Sequence, residues 1–138
     1  MDTSFLVSLY TPDANSALAA RTMQGSSGDW IISILGELEF VNAIELRVFR
    51  KEISRAEAQS SLKEFERDLQ NGTLELRGLP DQVFERALRM ARQTTAKLGI
   101  RTADLLHVAA AVELAVDYLY TFDRQQRKLA QTLQLKLN

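Results

Sequence analysis

Residues 30–43, Trp30-Ile31-Ile32-Ser33-Ile34-Leu35-Gly36-Glu37-Leu38-Glu39-Phe40-Val41-Asn42-Ala43, pass from one periodicity to another with no linker between them. The first four residues form a compact, β-branched run of the kind that makes a buried strand. From residue 34 to about residue 50, Leu38, Val41, Ile44, Glu45 and Val48 recur at helical spacing. That spacing predicts a helix carrying its apolar residues on one face.

The same alternation continues on both sides. Residues 5–10 are a short apolar segment closed by Thr11-Pro12, where the proline disfavours helix in the residue before it. Residues 13–23 read as an Ala-rich helix, and Gly25-Ser26-Ser27-Gly28 as a loop. Downstream, Ser54-Arg55-Ala56-Glu57 fits a capping box that opens a helix to about residue 70, stopped at Asn71-Gly72. Residues 73–76 read as a strand, residues 80–99 as a helix opened at Pro80-Asp81, and residues 102–116 as a helix rich in Ala and Leu. Strand 118–121, helix 124–133 and a last strand at 135–137 complete the chain. Short apolar strands alternating with helices predict an α/β layer structure with a parallel sheet, in which ligands collect at the carboxyl ends of the strands.

Composition narrows the chemistry. The 138 residues suit one compact domain, 1–138, and are too few for two ordinary ones. With no Cys there is neither a thiolate nucleophile nor a Cys-based metal site, and the single His107 offers no two-His metal clamp. The 18 Asp and Glu favour a hard divalent cation. A net charge of −1 excludes a purely electrostatic nucleic-acid binder but permits a local basic patch. No apolar run approaches the ~20 residues that span a bilayer, and the start has no signal-peptide pattern. A soluble, cytoplasmic protein without membrane association is expected.

Four acids stand where strands hand over to helices: Asp2, Glu39, Asp104 and Asp123. Converging carboxylates repel and take up protons unless a cation compensates them. Held together by a divalent ion, they are suited to phosphodiester hydrolysis by an activated water. Eighteen acidic residues offer many quartets, so spacing alone leaves the choice open.

The neighbours of these four acids sharpen the choice. Asp2-Thr3-Ser4-Phe5-Leu6-Val7, the 33–43 segment, Arg101-Thr102-Ala103-Asp104-Leu105-Leu106-His107-Val108-Ala109 and Thr121-Phe122-Asp123-Arg124 occur in order along nearly the whole chain. Together they resemble the PIN-domain family, and most closely the VapC-type toxins of bacterial toxin–antitoxin pairs. The resemblance implies a three-layer fold, with a central parallel sheet of about five strands flanked by helices. It also implies a Mg²⁺-dependent endoribonuclease, with Mn²⁺ as a substitute, that hydrolyses single-stranded or loop RNA with a metal-activated water. Asp2, Glu39, Asp104 and Asp123 match the family's metal-binding, catalytic acids. Ser4 and Thr121 match polar positions that support those acids, and Asn42 matches a common family Asn on the Glu39 helix face. A small cognate antitoxin and a homodimer are the partners implied.

One departure bears on activity. Only Met1 precedes Asp2, where the family carries a short apolar strand, so that strand is expected either to begin further upstream or to be nearly absent. In the second case the α-amino group would bring positive charge to the metal site. A non-catalytic PIN-like module that binds RNA or protein is therefore the alternative reading. A receiver-like phospho-acceptor domain also places acids at strand ends, but it needs a lysine after a late strand, and residues 121–123 offer none.

Other residues carry competing readings. Asp2, Asp104 and Asp123 also suit helix capping. Glu37 competes with Glu39, which has the better placement relative to Ser33 and Asn42. His107 shares a helix face with Asp104 and is expected to be packed and hydrogen-bonded rather than a general base. Arg86, Arg89, Arg92 and Arg101, with Lys97, are candidates for holding RNA phosphates, against a solvated helix face. Arg47, Arg50, Lys51 and Arg55 are read the same way, with antitoxin contact as the family-typical alternative. Phe65 and Phe84, at helical spacing with Leu62 and Leu88, are expected in the core, as is Trp30.

Overall fold

A computed structural model of the chain describes residues 1–26 and 28–138, so Ser27 of the expected 25–28 loop lies outside the described residues. Two compact units emerge. One comprises Met1 and residues 3–77, the other Asp2 and residues 78–138.

The first unit begins with helix α1 (Thr3–Tyr10), which buries Phe5, Leu6 and Tyr10. It ends before Pro12 as expected, and Thr11 donates both its N–H and its hydroxyl to Val7 O. Met1 lies outside any helix or strand, and its amino group donates to Ile31 O at 2.7 Å. After α2 (Ser16–Gly25), strand β1 (Trp30–Ser33) pairs in parallel with β2 (Leu74–Arg77), Ile32 facing Leu76 in register. The crossover between them is made by α3 (Ile34–Phe49) and α4 (Arg55–Gln70). A parallel pair needs such a connection because its two strands start from the same end.

Local signals explain where these helices start. The Ser33 hydroxyl accepts from Gly36 N at 3.1 Å, so the strand's last residue is also the N-cap of α3. At α4 both halves of the capping box form, Glu57 N to Ser54 Oγ at 3.2 Å and Ser54 N to Glu57 Oε2 at 2.7 Å. The core of this unit is aromatic. Phe40 and Phe65 lie 4.7 Å apart between ring centroids, and Tyr10 lies 5.6 Å from each.

The buried face of α3 differs from the expected one. Gly36, Phe40 and Ile44 turn inward, while Leu38 and Val41 are exposed. The helix carries two apolar stripes, and the one bearing the larger aromatic ring is buried.

In the second unit, α5 (Asp81–Met90) passes into a π-helical turn (Ala91–Thr95) and then α6 (Ala96–Leu98). Gly99 stops this run at φ 65°, a left-handed conformation that glycine adopts without strain. Helix α7 (Thr102–Glu113) is deeply buried, through Leu105, Val108, Ala109 and Ala110. Strand β3 (Tyr118–Leu119) pairs in parallel with β4 (Lys136–Leu137) across α8 (Arg124–Thr132). The core joins Val83, Ala87 and Met90 to Val108, Leu119 and Leu129. Trp30 and Phe65 are buried as expected, whereas Phe84 and Leu88 are 54% exposed and do not belong to the core. Val83, Ala87 and Met90 take the inward positions of α5 because smaller side chains allow α7 to approach.

Among the described residues the strands form two two-stranded parallel ladders. The mixed α/β character and the parallel pairing match the sequence reading. The expected central sheet of about five strands is not seen.

Candidate active site

Asp104 lies in the first turn of α7 and is 2% exposed. Its carboxylate receives the Arg101 guanidinium through two bonds, Nε to Oδ2 at 2.9 Å and Nη2 to Oδ1 at 3.1 Å. The Arg101 backbone N–H also donates to Oδ2, at 3.3 Å. Spacing i, i+3 across a helix start makes this possible, since the residue before the helix and its third residue face each other. A bidentate guanidinium–carboxylate pair is the strongest common ion-pair geometry.

The same guanidinium reaches a second acid. Arg101 Nη2 donates to Asp123 Oδ2 at 3.3 Å, so one cation bridges Asp104 and Asp123. The other Asp123 oxygen caps α8, accepting from Gln125 N at 2.7 Å and Gln126 N at 3.0 Å. Capping and clustering with a second acid are thus compatible roles for this residue.

Asp2, 1% exposed, completes the group in the second unit. Its backbone N–H donates to Tyr120 O at 3.0 Å, and its Oδ2 accepts from the Thr121 hydroxyl at 2.8 Å. Thr121 Oγ1 in turn accepts from Asp123 N at 3.0 Å. A single buried hydroxyl therefore ties the orientation of Asp2 to the backbone that carries Asp123.

The remaining predicted residues are each described within their own unit. Glu39, part-buried on α3 of the first unit, accepts from the Thr3 hydroxyl at 2.7 Å. Asn42, one turn on, is exposed, and Ser4 sits in α1, its carbonyl accepting from the Ser8 hydroxyl. Of the basic residues, Arg86 is paired with Glu113 and Arg89 lies 4.0 Å from Glu85, while Arg92 is exposed on the π-helical turn. His107 is buried on α7.

Two residues escaped the sequence reading. Gln126, 4% exposed, donates from Nε2 to Asp104 Oδ1 at 3.4 Å, and its Oε1 has no hydrogen-bond partner among the described residues. Thr3 holds Glu39. Neutral amides and hydroxyls carry no periodic or charge signal, though the position of Gln126 on the first turn of α8 was a usable hint.

A sequence profile of the PIN domain matches residues 1–131. The chain belongs to the PIN domain family. No curated protein sequence matches it closely enough to be a relative. PIN domains are in general nucleases, hydrolases of phosphodiester bonds, and typically use divalent metals. The acids of this PIN domain fit such an ion in two respects. Their donors are carboxylate oxygens, which suit Mg²⁺ or Mn²⁺. A positive charge, the Arg101 guanidinium, already lies between Asp104 and Asp123. Among the described residues no three acidic or His side chains converge closely enough to hold an ion together as they stand. No helix in the described residues of this PIN domain is long and apolar enough to cross a membrane.

Proposed function

We propose that this PIN domain is a VapC-like, Mg²⁺-dependent endoribonuclease that hydrolyses single-stranded or loop RNA. The observation that carries the reading is the pair of carboxylates, Asp104 and Asp123, held together by one cation beside the buried Asp2. Asp2, Asp104 and Asp123 would hold the ion in the second unit; Glu39, in the first unit, is the fourth acid of the family pattern. When bound, Mg²⁺ supplies Lewis acidity to a water and neutralises charge on the scissile phosphate.

The chain's own groups do the positioning. Thr121 fixes the Asp2 carboxylate by donating to it, and the Gln126 amide does the same for Asp104. Thr3 holds Glu39 in the first unit. Burial of Asp2 and Asp104 keeps both rotamers fixed, so little entropy is lost when an ion and RNA arrive. Arg92 and Lys97, exposed before α7, are suited to backbone phosphates and would make RNA binding fall with salt. Cleavage would leave a 5′-phosphate and a 3′-hydroxyl.

Restraint by a small antitoxin in the cytoplasm, and dimerisation, complete the proposal. An exposed apolar ridge on α3, Ile34, Leu38 and Val41 at i, i+4 and i+7, supports a protein partner. A short reading frame with a DNA-binding N-terminus directly upstream of the gene would support the toxin reading; its absence favours a solitary nuclease.

The Asp104→Asn variant tests the chemistry. It should lose Mg²⁺-dependent cleavage of single-stranded RNA and keep the wild-type circular dichroism. Cleavage at the wild-type rate would end the proposal. The second reading, a PIN-like module that binds without cutting, is favoured because no three acidic or His side chains among the described residues converge to hold an ion. Calorimetry separates the two, because a module of that kind takes up no Mg²⁺ at millimolar concentration.

A further inference from the structure

Three features of the second unit bear on how a cation would enter. Arg101 Nη2 makes one contact to Asp104 Oδ1, at 3.1 Å, and one to Asp123 Oδ2, at 3.3 Å. A single nitrogen therefore occupies the place between two acids that would share an ion. The carboxylates and the guanidinium also differ in their anchoring. The Asp104 side chain is 3% exposed and Asp123 is fixed as a helix cap, whereas the Arg101 side chain is 72% exposed. The acids are thus held by the fold, while most of the Arg101 side chain stands in solvent. Finally, the buried Gln126 Oε1 has no donor among the described residues, although the same amide donates to Asp104. Arg101 satisfies the carboxylates and leaves that acceptor unserved.

We propose that Arg101 is a built-in counter-ion that competes with the divalent cation for Asp104 and Asp123. It is a positioning residue, and the assignment rests on the reading that these acids bind such a cation. Without metal, the guanidinium offsets the repulsion between the two carboxylates and keeps them oriented towards each other. Cation binding then requires the side chain to swing into solvent. The swing is open to it because most of the Arg101 side chain is already solvated, and the incoming cation replaces its charge beside the buried Asp104. Metal affinity is thereby lowered by whatever the bridge contributes, while the site is held open in a form that needs no refolding.

Calorimetric titration with Mn²⁺ alone, on the full chain, tests this. Arg101→Gln should bind Mn²⁺ roughly three- to tenfold more tightly than wild type, the range expected for one charge-assisted bridge whose guanidinium is solvated. Arg124→Gln, one residue past Asp123, removes the same charge without removing a bond to either acid, and should shift affinity by less than about twofold. Equal or weaker binding by Arg101→Gln would overturn the proposal, and so would an equal gain in Arg124→Gln, which would reduce the effect to net charge. If wild type and both variants fold and none binds Mn²⁺ at millimolar concentration, the metal-dependent reading falls as well. Binding by wild type with no gain in Arg101→Gln overturns the counter-ion alone.

Discussion

The Tyr10 hydroxyl donates to Asp68 Oδ2 at 2.7 Å while its ring packs edge-on against Phe65. Burial, then the bond to Asp68 and its negative charge, push the phenol well above its ordinary value of 10. The folded chain therefore keeps a proton that the unfolded chain loses near pH 10. Its contribution is full below that pH and declines as pH rises beyond it. Urea midpoints measured from pH 8 to 11 should fall more steeply for wild type than for Tyr10→Phe. In wild type, the Tyr10 phenolate band near 295 nm should appear only on unfolding.

Thr121→Val should cost about 1.5–3 kcal/mol without added metal. It removes the donor to a buried carboxylate and the acceptor for Asp123 N in one step. Denaturant titration gives the loss directly. A change below about 0.5 kcal/mol would mean that water replaces the hydroxyl at Asp2.

Phe65 and Phe84 separate the observed core from the expected one. Phe65→Ala should destabilise by about 3–5 kcal/mol, since its ring fills the Phe40–Tyr10 cluster. Phe84→Ala, at a half-exposed position, should cost less than about 1 kcal/mol. Thermal melts of the two variants would show the gap as several degrees.

Leu38→Asp tests the partner face. The side chain is 67% exposed, so the variant should fold with wild-type stability. If the α3 ridge carries self-association, sedimentation should show wild type as a dimer and the variant as a monomer. An identical sedimentation coefficient for both would remove the ridge from the dimer interface.

The elements easiest to read were those with a local chemical cause. Trp30–Ser33 announces a strand by β-branching between a glycine-containing loop and an N-cap, and Ser54 with Glu57 announces a helix start through bonds made within four residues. Helix faces were harder to assign. On α3 and α5 two apolar stripes lie about 100° apart, and periodicity cannot choose between Phe40–Ile44 and Leu38–Val41, or between Val83–Ala87 and Phe84–Leu88. Packing against partners distant in sequence makes that choice. In the second unit, the neighbours of Asp104 and Asp123 singled out two acids that one guanidinium bridges. The attachment of Arg101 to Asp104 was not, although its i, i+3 spacing allowed it, because an arginine in a basic run reads equally as a phosphate ligand. The π-helical turn at Ala91–Thr95 left no sequence trace, since its Thr and Ala residues are acceptable in any helical backbone.

The bond between Asp2 and Thr121 joins positions 119 apart in sequence. A ribosome adding roughly 5–20 residues per second needs about 6–24 s to travel that distance. Throughout that interval Asp2 is made but has neither the Thr121 hydroxyl nor the Tyr120 carbonyl to hold it. Asp2 thus waits through the synthesis of more than a hundred residues for the hydroxyl that orients its carboxylate.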